Sequence, residues 1–177
     1  MTSRALFFGR FQPVHKGHVK VAEDILKTHD EIIFAVGMST ESHTPRNPFT
    51  AGERVEMIRL AMRDAGIPLD KVITVTIPTL EVSIASVYYV VMMSPSFTEV
   101  YMGNIPIASM FKQAGYKVRV PTPYHREKYN GSVIRMLMYN RDPEWRDLVE
   151  PSVARYLDEI NAEDRIRRIL DKTESHI

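Results

Sequence analysis

The sequence predicts an α/β fold, a doubly wound parallel sheet of five strands with helices on both faces. Short apolar runs rich in β-branched or aromatic residues end near Gly or Pro, and longer amphipathic segments separate them. Strands buried on both faces of a sheet have that composition. Alternation of strand and helix implies right-handed crossovers between parallel strands. The five candidate strands lie at residues 4–9, 31–37, 72–77, 99–103 and 116–120.

Helical patterns fill the intervals between these strands. The first helix is marked by apolar residues from Val19 to Leu26. The second has Thr50 as its N-cap, with Glu53 three residues on as a capping box, and Gly66 with Pro68 should end it. Two more helices are predicted at 83–93 and 107–114, and three after the last strand at 130–139, 151–161 and 162–172. The prediction is one Rossmann-like domain over 1–177, with a sheet core at about 4–120 and a helical C-terminal part at about 121–177.

Composition excludes several classes of function. The chain has 177 residues, no Cys and a formal net charge of +1, so disulfides, thiolate metal sites and a Cys nucleophile are excluded. With a pI near 8.0 and no dense Lys/Arg block, the sequence does not indicate a basic surface for binding nucleic acid. The first residues do not resemble a signal peptide, and the longest apolar run, residues 87–93, is too short for a membrane span. A cytoplasmic protein without a membrane or nucleic-acid partner is expected.

Residues 9–18, GRFQPVHKGH, form the first chemically informative segment, between the first strand and the first helix. Such a turn places free backbone N–H groups and a positive dipole end beside the ligand crevice of a doubly wound sheet. His15 and His18 can both donate to one phosphate chain, and Arg10 adds a fork-shaped donor. Gly17 would let a ligand approach the backbone closely. A polar surface turn is the alternative interpretation, and zinc bound by two histidines without a third ligand is a weaker one.

Residues 129–135, YNGSVIR, supply a second segment of the same kind late in the chain. Asn130 is a good N-cap. Helical side chains lean toward the N-terminus, so the guanidinium of Arg135 can reach a phosphate at that helix start. Taken alone, Arg135 would be an ordinary surface arginine.

Together these two segments resemble the nucleotide-binding signature of the adenylyl- and cytidylyltransferase superfamily, with His15 and His18 as its two histidines. Residues 41–54, with the start at 9–13, look like the archaeal type of nicotinamide-nucleotide adenylyltransferase. Residues 101–106 resemble the Gly-Asn-Pro turn of that family with Ile105 inserted, and 150–161 resemble its closing helices. The similarity runs from about residue 5 to 172, and its motifs are specific in combination.

The resemblance implies roles for individual residues. The residues expected to bind the phosphates and act in catalysis are His15, His18, Arg10, Arg46 and Arg135. Nucleotide binding falls to Gly9, Phe11, Gly17, Gly103, Asn104, Asn130, Gly131 and Ser132. The other charges of the 41–54 segment, Glu41, Glu53 and Arg54, are interpreted as cap and ion-pair residues.

The acceptor pocket departs from the family. Family members tend to carry Asp, Asn and Trp between the third strand and the third helix, where this chain has Thr79, Ser83 and Ser86. Small hydroxyls thus replace an aromatic platform and two amide-reading groups. Tyr88 or Tyr89 could take over the platform. The only Trp, Trp145, lies outside this segment and is expected to be a packing residue.

The implied reaction is transfer of AMP from ATP to nicotinamide mononucleotide, giving NAD and pyrophosphate. The expected cofactor is Mg²⁺ on the ATP phosphates, with no protein metal ligand, and the expected assembly is a homo-oligomer. One alternative is an adenylyl- or cytidylyltransferase with another phosphorylated acceptor, such as a phosphopantetheine or flavin precursor. A non-catalytic nucleotide-binding paralogue is another. A class I aminoacyl-tRNA synthetase relative shares the His-x-Gly-His motif but would need more chain and a basic RNA-binding region.

Overall fold

The computed structural model describes residues 2–80, 83–122, 124–125 and 127–174. Its strands are β1 (Arg4–Gly9), β2 (Glu31–Val36), β3 (Val72–Thr76), β4 (Glu99–Tyr101) and β5 (Lys117–Arg119). They form one sheet in the order β3-β2-β1-β4-β5, and every neighbouring pair is parallel. The predicted five-stranded parallel sheet is confirmed, with strand ends shifted by no more than a few residues.

Seven α-helices surround the sheet in the described part of the chain. They are α1 (Lys16–Leu26), α2 (Ala51–Asp64), α3 (Ile84–Met92), α4 (Ile105–Gln113), α5 (Gly131–Tyr139), α6 (Pro151–Glu159) and α7 (Ala162–Glu174). Two 3₁₀ helices, Leu69–Lys71 and Pro143–Leu148, were not predicted. Each is short, and neither shows a repeating apolar pattern that would have revealed it.

Alternate residues of the central strands enter two separate cores, which shows that helices cover both faces of the sheet. Phe7 and Phe34 lie in one core, with apolar residues of α1, α2, α5, α6 and α7. Leu6 and Ile33 point the other way, into a smaller core that α3 and α4 close. The predicted C-terminal helical extension is present, and its helices share a core with the sheet.

The predicted ends of α2 are confirmed. The side-chain oxygen of Thr50 accepts the Glu53 backbone N–H at 3.2 Å, and Glu53 accepts the Thr50 N–H at 2.8 Å. Gly66 ends the helix with φ +71°, a conformation that glycine adopts without a side-chain penalty. By contrast α4 begins at Ile105, two residues before the predicted start, because Asn104 accepts the Ile107 N–H and caps it.

The segment after α5 packs against the rest of the protein through Trp145. Trp145 is fully buried, donates from Nε1 to Glu163 of α7 at 2.6 Å, and is covered by the guanidinium of Arg146. It is a packing residue, as expected. None of the helices in the described part of the chain is long and apolar enough to cross a membrane.

Candidate active site

The site lies where the order of the strands reverses. From β1 the chain moves to β2 and β3 on one side of the sheet, and it returns to β4 and β5 on the other. Ligands of open parallel sheets bind at the carboxyl ends of the strands at such a switch point. The loop after β1, residues 10–15, and the residues after β4, 102–104, meet at this place.

His15 and His18 form a stacked pair at the start of α1. Their ring centroids lie 3.6 Å apart at an interplanar angle of 24°. His15 is the N-cap residue, and its backbone N–H donates to Nδ1 of His18 at 3.2 Å. His15 Nδ1 is buried and makes no hydrogen bond of good geometry, although the side chain faces the His18 backbone N–H as in a capping box. Both Nδ1 atoms are therefore turned to the protein, which leaves the Nε2 atoms for a ligand.

Both imidazoles are neutral near pH 7. Burial lowers the pKa of His15 to about 3. Burial, followed by repulsion from His15, lowers the pKa of His18 well below its ordinary value. Because His18 Nδ1 accepts a backbone N–H, we assign its proton to Nε2. An unpaired buried acceptor is tolerated better than an unpaired N–H, which assigns the His15 proton to Nε2 as well. The pair thus presents two N–H donors.

Aromatic residues of the motif support this pair from the core. Phe11 is 1% exposed, has φ 53°, and meets the His18 ring edge-on at 4.9 Å. Its side chain therefore supports the loop from beneath. At Gly17 an added Cβ would lie 3.0 Å from His15 Nδ1 and from Tyr129 Cβ, so the glycine also lets the protein itself pack closely. The missing side chain makes room for protein, and at Gly9 it makes room for the Phe11 ring, 3.0 Å from an added Cβ.

Arg135 joins the two sequence segments. Its Nη1 donates to the backbone carbonyl of Gln12 at 2.7 Å, and its Nη2 donates to Oγ of Ser132 at 3.1 Å. An added Cβ at Gly131 would lie 3.0 Å from that same Gln12 oxygen. Glycine thus allows the start of α5 to approach the loop after β1. Asn130 caps this helix by accepting the Ser132 N–H at 2.8 Å, as predicted.

Three arginines concentrate positive charge here. Arg10 contacts the carbonyl of Arg46 at 3.5 Å. Burial and then repulsion from Arg46 lower the pKa of Arg10, while Glu41 opposes the shift. Burial and then repulsion from Arg10 and Arg46 lower the pKa of Arg135 to about 10. Because guanidinium groups carry a positive charge at neutral pH, the mutual repulsion of these arginines favours an anion among them.

Two buried polar residues behind these arginines escaped the sequence-based prediction. Gln12 is 3% exposed and binds Phe49 through both ends of its amide, at 2.9 and 3.0 Å. Arg54 is fully buried and binds carbonyl groups instead of forming the expected ion pair. It lies in phase with Met57 and Ile58 on the buried stripe of α2, so the helical period was a signal that could have identified it.

Around the predicted acceptor pocket the structure forms two pairs of hydroxyl residues. The Thr79 N–H donates to Oγ1 of Thr40 at 3.1 Å, and the Thr40 hydroxyl donates to Oγ1 of Thr79 at 3.0 Å. Ser83 is the N-cap of α3, and its N–H donates to Oγ of Ser86 at 3.2 Å. Ser83 and Ser86 therefore also cap a helix, a role that their spacing of three could have revealed.

The remaining predicted residues lie beside β4. Asn104 caps α4, and Gly103 has open space where a Cβ would be, so no contact within the protein requires glycine there. In the part of the chain that the structure describes, no three His, Asp or Glu side chains cluster as metal ligands do. The two histidines stack face to face instead of converging on one point, an arrangement that does not suit a zinc ion.

A doubly wound sheet with paired histidine donors and arginines at its switch point defines a nucleotide-binding protein of the nucleotidyltransferase type. Residues 6–137 match the family model described as cytidylyltransferase-like. The chain therefore belongs to the cytidylyltransferase-like family, and within it to the group of archaeal nicotinamide-nucleotide adenylyltransferases, as the following relatives show.

Two named relatives match along nearly their full length. The protein of Saccharolobus solfataricus named nicotinamide-nucleotide adenylyltransferase is 44% identical over 95% of this chain and 97% of its own. The protein of the same name from Pyrococcus furiosus is 40% identical over 97% of this chain and 92% of its own. A protein of Aeropyrum pernix without a named function is 50% identical over 93% and 96%.

Solved structures show the same fold at low identity. A bifunctional NMN adenylyltransferase/ADP ribose pyrophosphatase from Francisella tularensis superposes with a TM-score of 0.71 at 20% identity, over 89% of this chain. This chain spans about half of that protein, 50% of its length. Plasmodium falciparum nicotinic acid mononucleotide adenylyltransferase, complexed with NaAD, gives a TM-score of 0.65 at 13% identity, over 93% and 98% of the two chains.

Proposed function

We propose that the protein transfers the adenylyl group of ATP to nicotinamide mononucleotide, releasing NAD and pyrophosphate. The observation that carries the proposal is the convergence of Arg10, Arg46 and Arg135, which repel one another, at the carboxyl edge of the sheet where His15 and His18 present their donors. The name shared by relatives such as the Saccharolobus solfataricus protein supports the choice of substrates.

The proposed chemistry is an in-line displacement. An oxygen of the acceptor 5′-phosphate forms a bond to the α-phosphorus of ATP, the bond from that phosphorus to the bridging oxygen breaks, and pyrophosphate leaves. A phosphate monoester is already largely dianionic near pH 7, so no general base is required. The protein contributes orientation of two polyanions and stabilisation of charge at the α-phosphorus.

The donor set fits this task. Neutral His15 and His18 donate hydrogen bonds through their N–H groups and do not act as acids. They therefore stabilise charge on phosphate oxygens as oxyanion-hole donors do. Arg135, anchored to Gln12, faces the ATP phosphates in this proposal, and the more exposed Arg46 faces the acceptor phosphate. Since the arginines supply cations and no carboxylate cluster is described here, Mg²⁺ would be held by ATP phosphates and water.

Assembly and compartment are further parts of the proposal. We propose a cytoplasmic homo-oligomer, on the resemblance to the archaeal adenylyltransferases. The exposed apolar residues of α3 and α4 agree with a contact between two copies: Tyr88 is 56%, Met92 85% and Ile105 57% exposed. No charged residue occurs from 82 to 97 to repel a second copy. Light scattering at several concentrations tests the oligomer.

An acceptor panel tests the activity. Purified protein is incubated with ATP, Mg²⁺ and one phosphorylated acceptor at a time: nicotinamide mononucleotide, nicotinic acid mononucleotide, 4′-phosphopantetheine or flavin mononucleotide. CTP replaces ATP in a parallel set. Pyrophosphate release with nicotinamide mononucleotide and ATP is the expected result. Turnover only with another pair would reassign the substrate, and no turnover with any pair would contradict the proposal.

A further inference from the structure

Arg54 is an unusual residue to find inside a protein. It lies in the first turn of α2, is 0% exposed, and shares its helix face with the buried residues Met57, Ile58 and Ala61. Burying a guanidinium removes its hydration, which costs free energy unless other groups compensate. The compensating groups therefore indicate what the buried charge serves.

Four backbone carbonyls surround this guanidinium. Nη1 donates to the oxygens of Gly37 at 2.7 Å and Arg10 at 2.9 Å, Nη2 to Met38 at 3.0 Å, and Nε to Thr50 at 3.2 Å. Arg10 follows β1, whereas Gly37 and Met38 follow β2. One side chain thus ties together the two strand ends at the edge where the site forms.

The charge of Arg54 has no direct counterion. Among the residues that the structure describes, no carboxylate lies within 4.0 Å of it. Burial and then repulsion from Arg10 lower its pKa to about 10, with Glu41 acting in the opposite direction. It remains charged near neutral pH, and its charge adds to that of Arg10 in front of it. Neutral carbonyls satisfy its hydrogen bonds but leave its positive charge in place.

We propose that Arg54 is a positioning residue of the phosphate site and also a source of its positive potential. Its hydrogen bonds hold the Arg10 backbone against the end of β2, and its buried charge attracts the polyphosphate across a weakly polarisable interior, where Coulomb interactions are strong. The inference rests on the proposed function only in requiring that a polyphosphate binds here.

The test is calorimetric titration with inorganic pyrophosphate at pH 6.5 in the presence of Mg²⁺. It compares the parent with Arg54→Met, Arg54→Lys and the control Arg167→Met. Arg167 is a matched control because it also donates to a backbone carbonyl, that of Tyr139 at 2.6 Å, at the far end of α5. We expect Arg54→Met to weaken pyrophosphate binding at least tenfold. Arg167→Met should remain within threefold of the parent. Arg54→Lys keeps the charge but cannot make all four carbonyl hydrogen bonds, so its affinity should lie between those of the parent and Arg54→Met.

A pH series separates charge from packing. Burial lowers the pKa of a lysine, so the lysine of Arg54→Lys should lose its proton as pH rises from 6.5 to 9.5, while the parent Arg54 loses much less. The ratio of variant to parent Kd should therefore rise with pH, and titration of pyrophosphate itself cancels in that ratio. A merely structural role would leave the ratio constant. Arg10 and Glu41 are the charged groups that act on this position.

Each outcome is decisive. A folded Arg54→Met with parent-like affinity would overturn the proposal. If that variant does not fold, a pH-independent ratio for Arg54→Lys overturns it, and a rising ratio supports it. Pyrophosphate binding needs no acceptor and no turnover. The difference in affinity between the parent and Arg54→Met can therefore appear even if no acceptor in the panel reacts. That result would leave a polyphosphate site that serves a different reaction.

Discussion

The two ends of the crevice are built differently. At the phosphate end, His15 is 7% exposed, Phe11 1% and Gln12 3%, and Arg135 is tied to a carbonyl 123 residues earlier in the chain. At the acceptor end, Thr79 and Ser83 are exposed and hydrogen-bond to Thr40 and Ser86. Groups in the first region are held in place before ligand binds. Hydroxyls in the second can rotate to donate or accept, so we expect the predicted acceptor end to recognise its ligand more tolerantly than the predicted phosphate end.

The largest expected effect is that of His18→Ala at the phosphate end. Losing one donor fixed toward the reacting phosphate should lower kcat by about 10²- to 10³-fold, since that is the scale of an oxyanion-hole donor. Steady-state kinetics with ATP and nicotinamide mononucleotide measures it, with circular dichroism as the folding control. A near-normal kcat in folded protein would make His18 a structural residue and remove the contrast between the two ends.

The stability of the phosphate end should depend on pH. His15 has its pKa lowered by burial to about 3, so below pH 6.5 the unfolded chain binds a proton that the folded chain does not. Stability contributed by this neutral histidine is present at pH 7 and lost as pH falls. Between pH 7 and 4.5, the free energy of unfolding of the ligand-free parent, measured in urea, should fall by up to ~3 kcal/mol more than that of His15→Asn. Equal losses would contradict this.

Arg135→Ala and Arg46→Ala should differ in the step they impair. Arg135 is anchored at the joined signature, so its loss should lower kcat by roughly 10- to 100-fold, the worth of a hydrogen bond to a charged group. Arg46 is exposed, so its loss should mainly raise the KM for the acceptor. Measuring both constants for both substrates tests the division. Identical defects would remove the basis for assigning the arginines to separate phosphates.

The smallest effect is expected in acceptor choice. A site built to hydrogen-bond one substrate rejects its analogue strongly, whereas rotatable hydroxyls at Thr79, Ser83 and Ser86 should not. We expect kcat/KM for nicotinamide and nicotinic acid mononucleotides to agree within about tenfold, ~1.4 kcal/mol. In Ser86→Trp, pyridine nucleotides should bind more tightly by stacking. A strong preference in the parent would indicate that Tyr88 or Tyr89 reads the base.

Much of the fold followed from local patterns in the sequence. Strands buried on both faces leave unbroken apolar runs, and Thr50, Glu53 and Gly66 mark the ends of α2 with chemistry confined to a few residues. The earlier start of α4 at Ile105 has the same origin. The Asn104 cap sets it, whereas the apolar pattern predicts a start at residue 107. The 3₁₀ helix at Pro143–Leu148 has local start signals in the Asp142 cap and Pro143, but it lacks an apolar repeat, and its burial depends on Trp145 meeting α7.

The candidate site was harder to predict wherever contacts join distant segments. The motifs at 9–18 and 129–135 predict the donors, but nothing local shows that the absence of a side chain at Gly17 also makes room for His15 and Tyr129. The sequence predicts Arg54 to be a cap or ion-pair residue, and nothing local along the chain indicates other partners. Its real partners, the carbonyls after β1 and β2, come together only in the folded sheet.

The bond between Arg135 and Gln12 has a consequence for synthesis on the ribosome. It joins residues 123 positions apart, so the first half of the phosphate site is translated long before the second. The emerging chain contains all five strands by residue 119, when Asn130, Ser132 and Arg135 do not yet exist. Domains generally fold as units. A chain that has not yet reached residue 135 lacks Arg135 and the start of α5, so the complete phosphate site forms only after this residue has been translated.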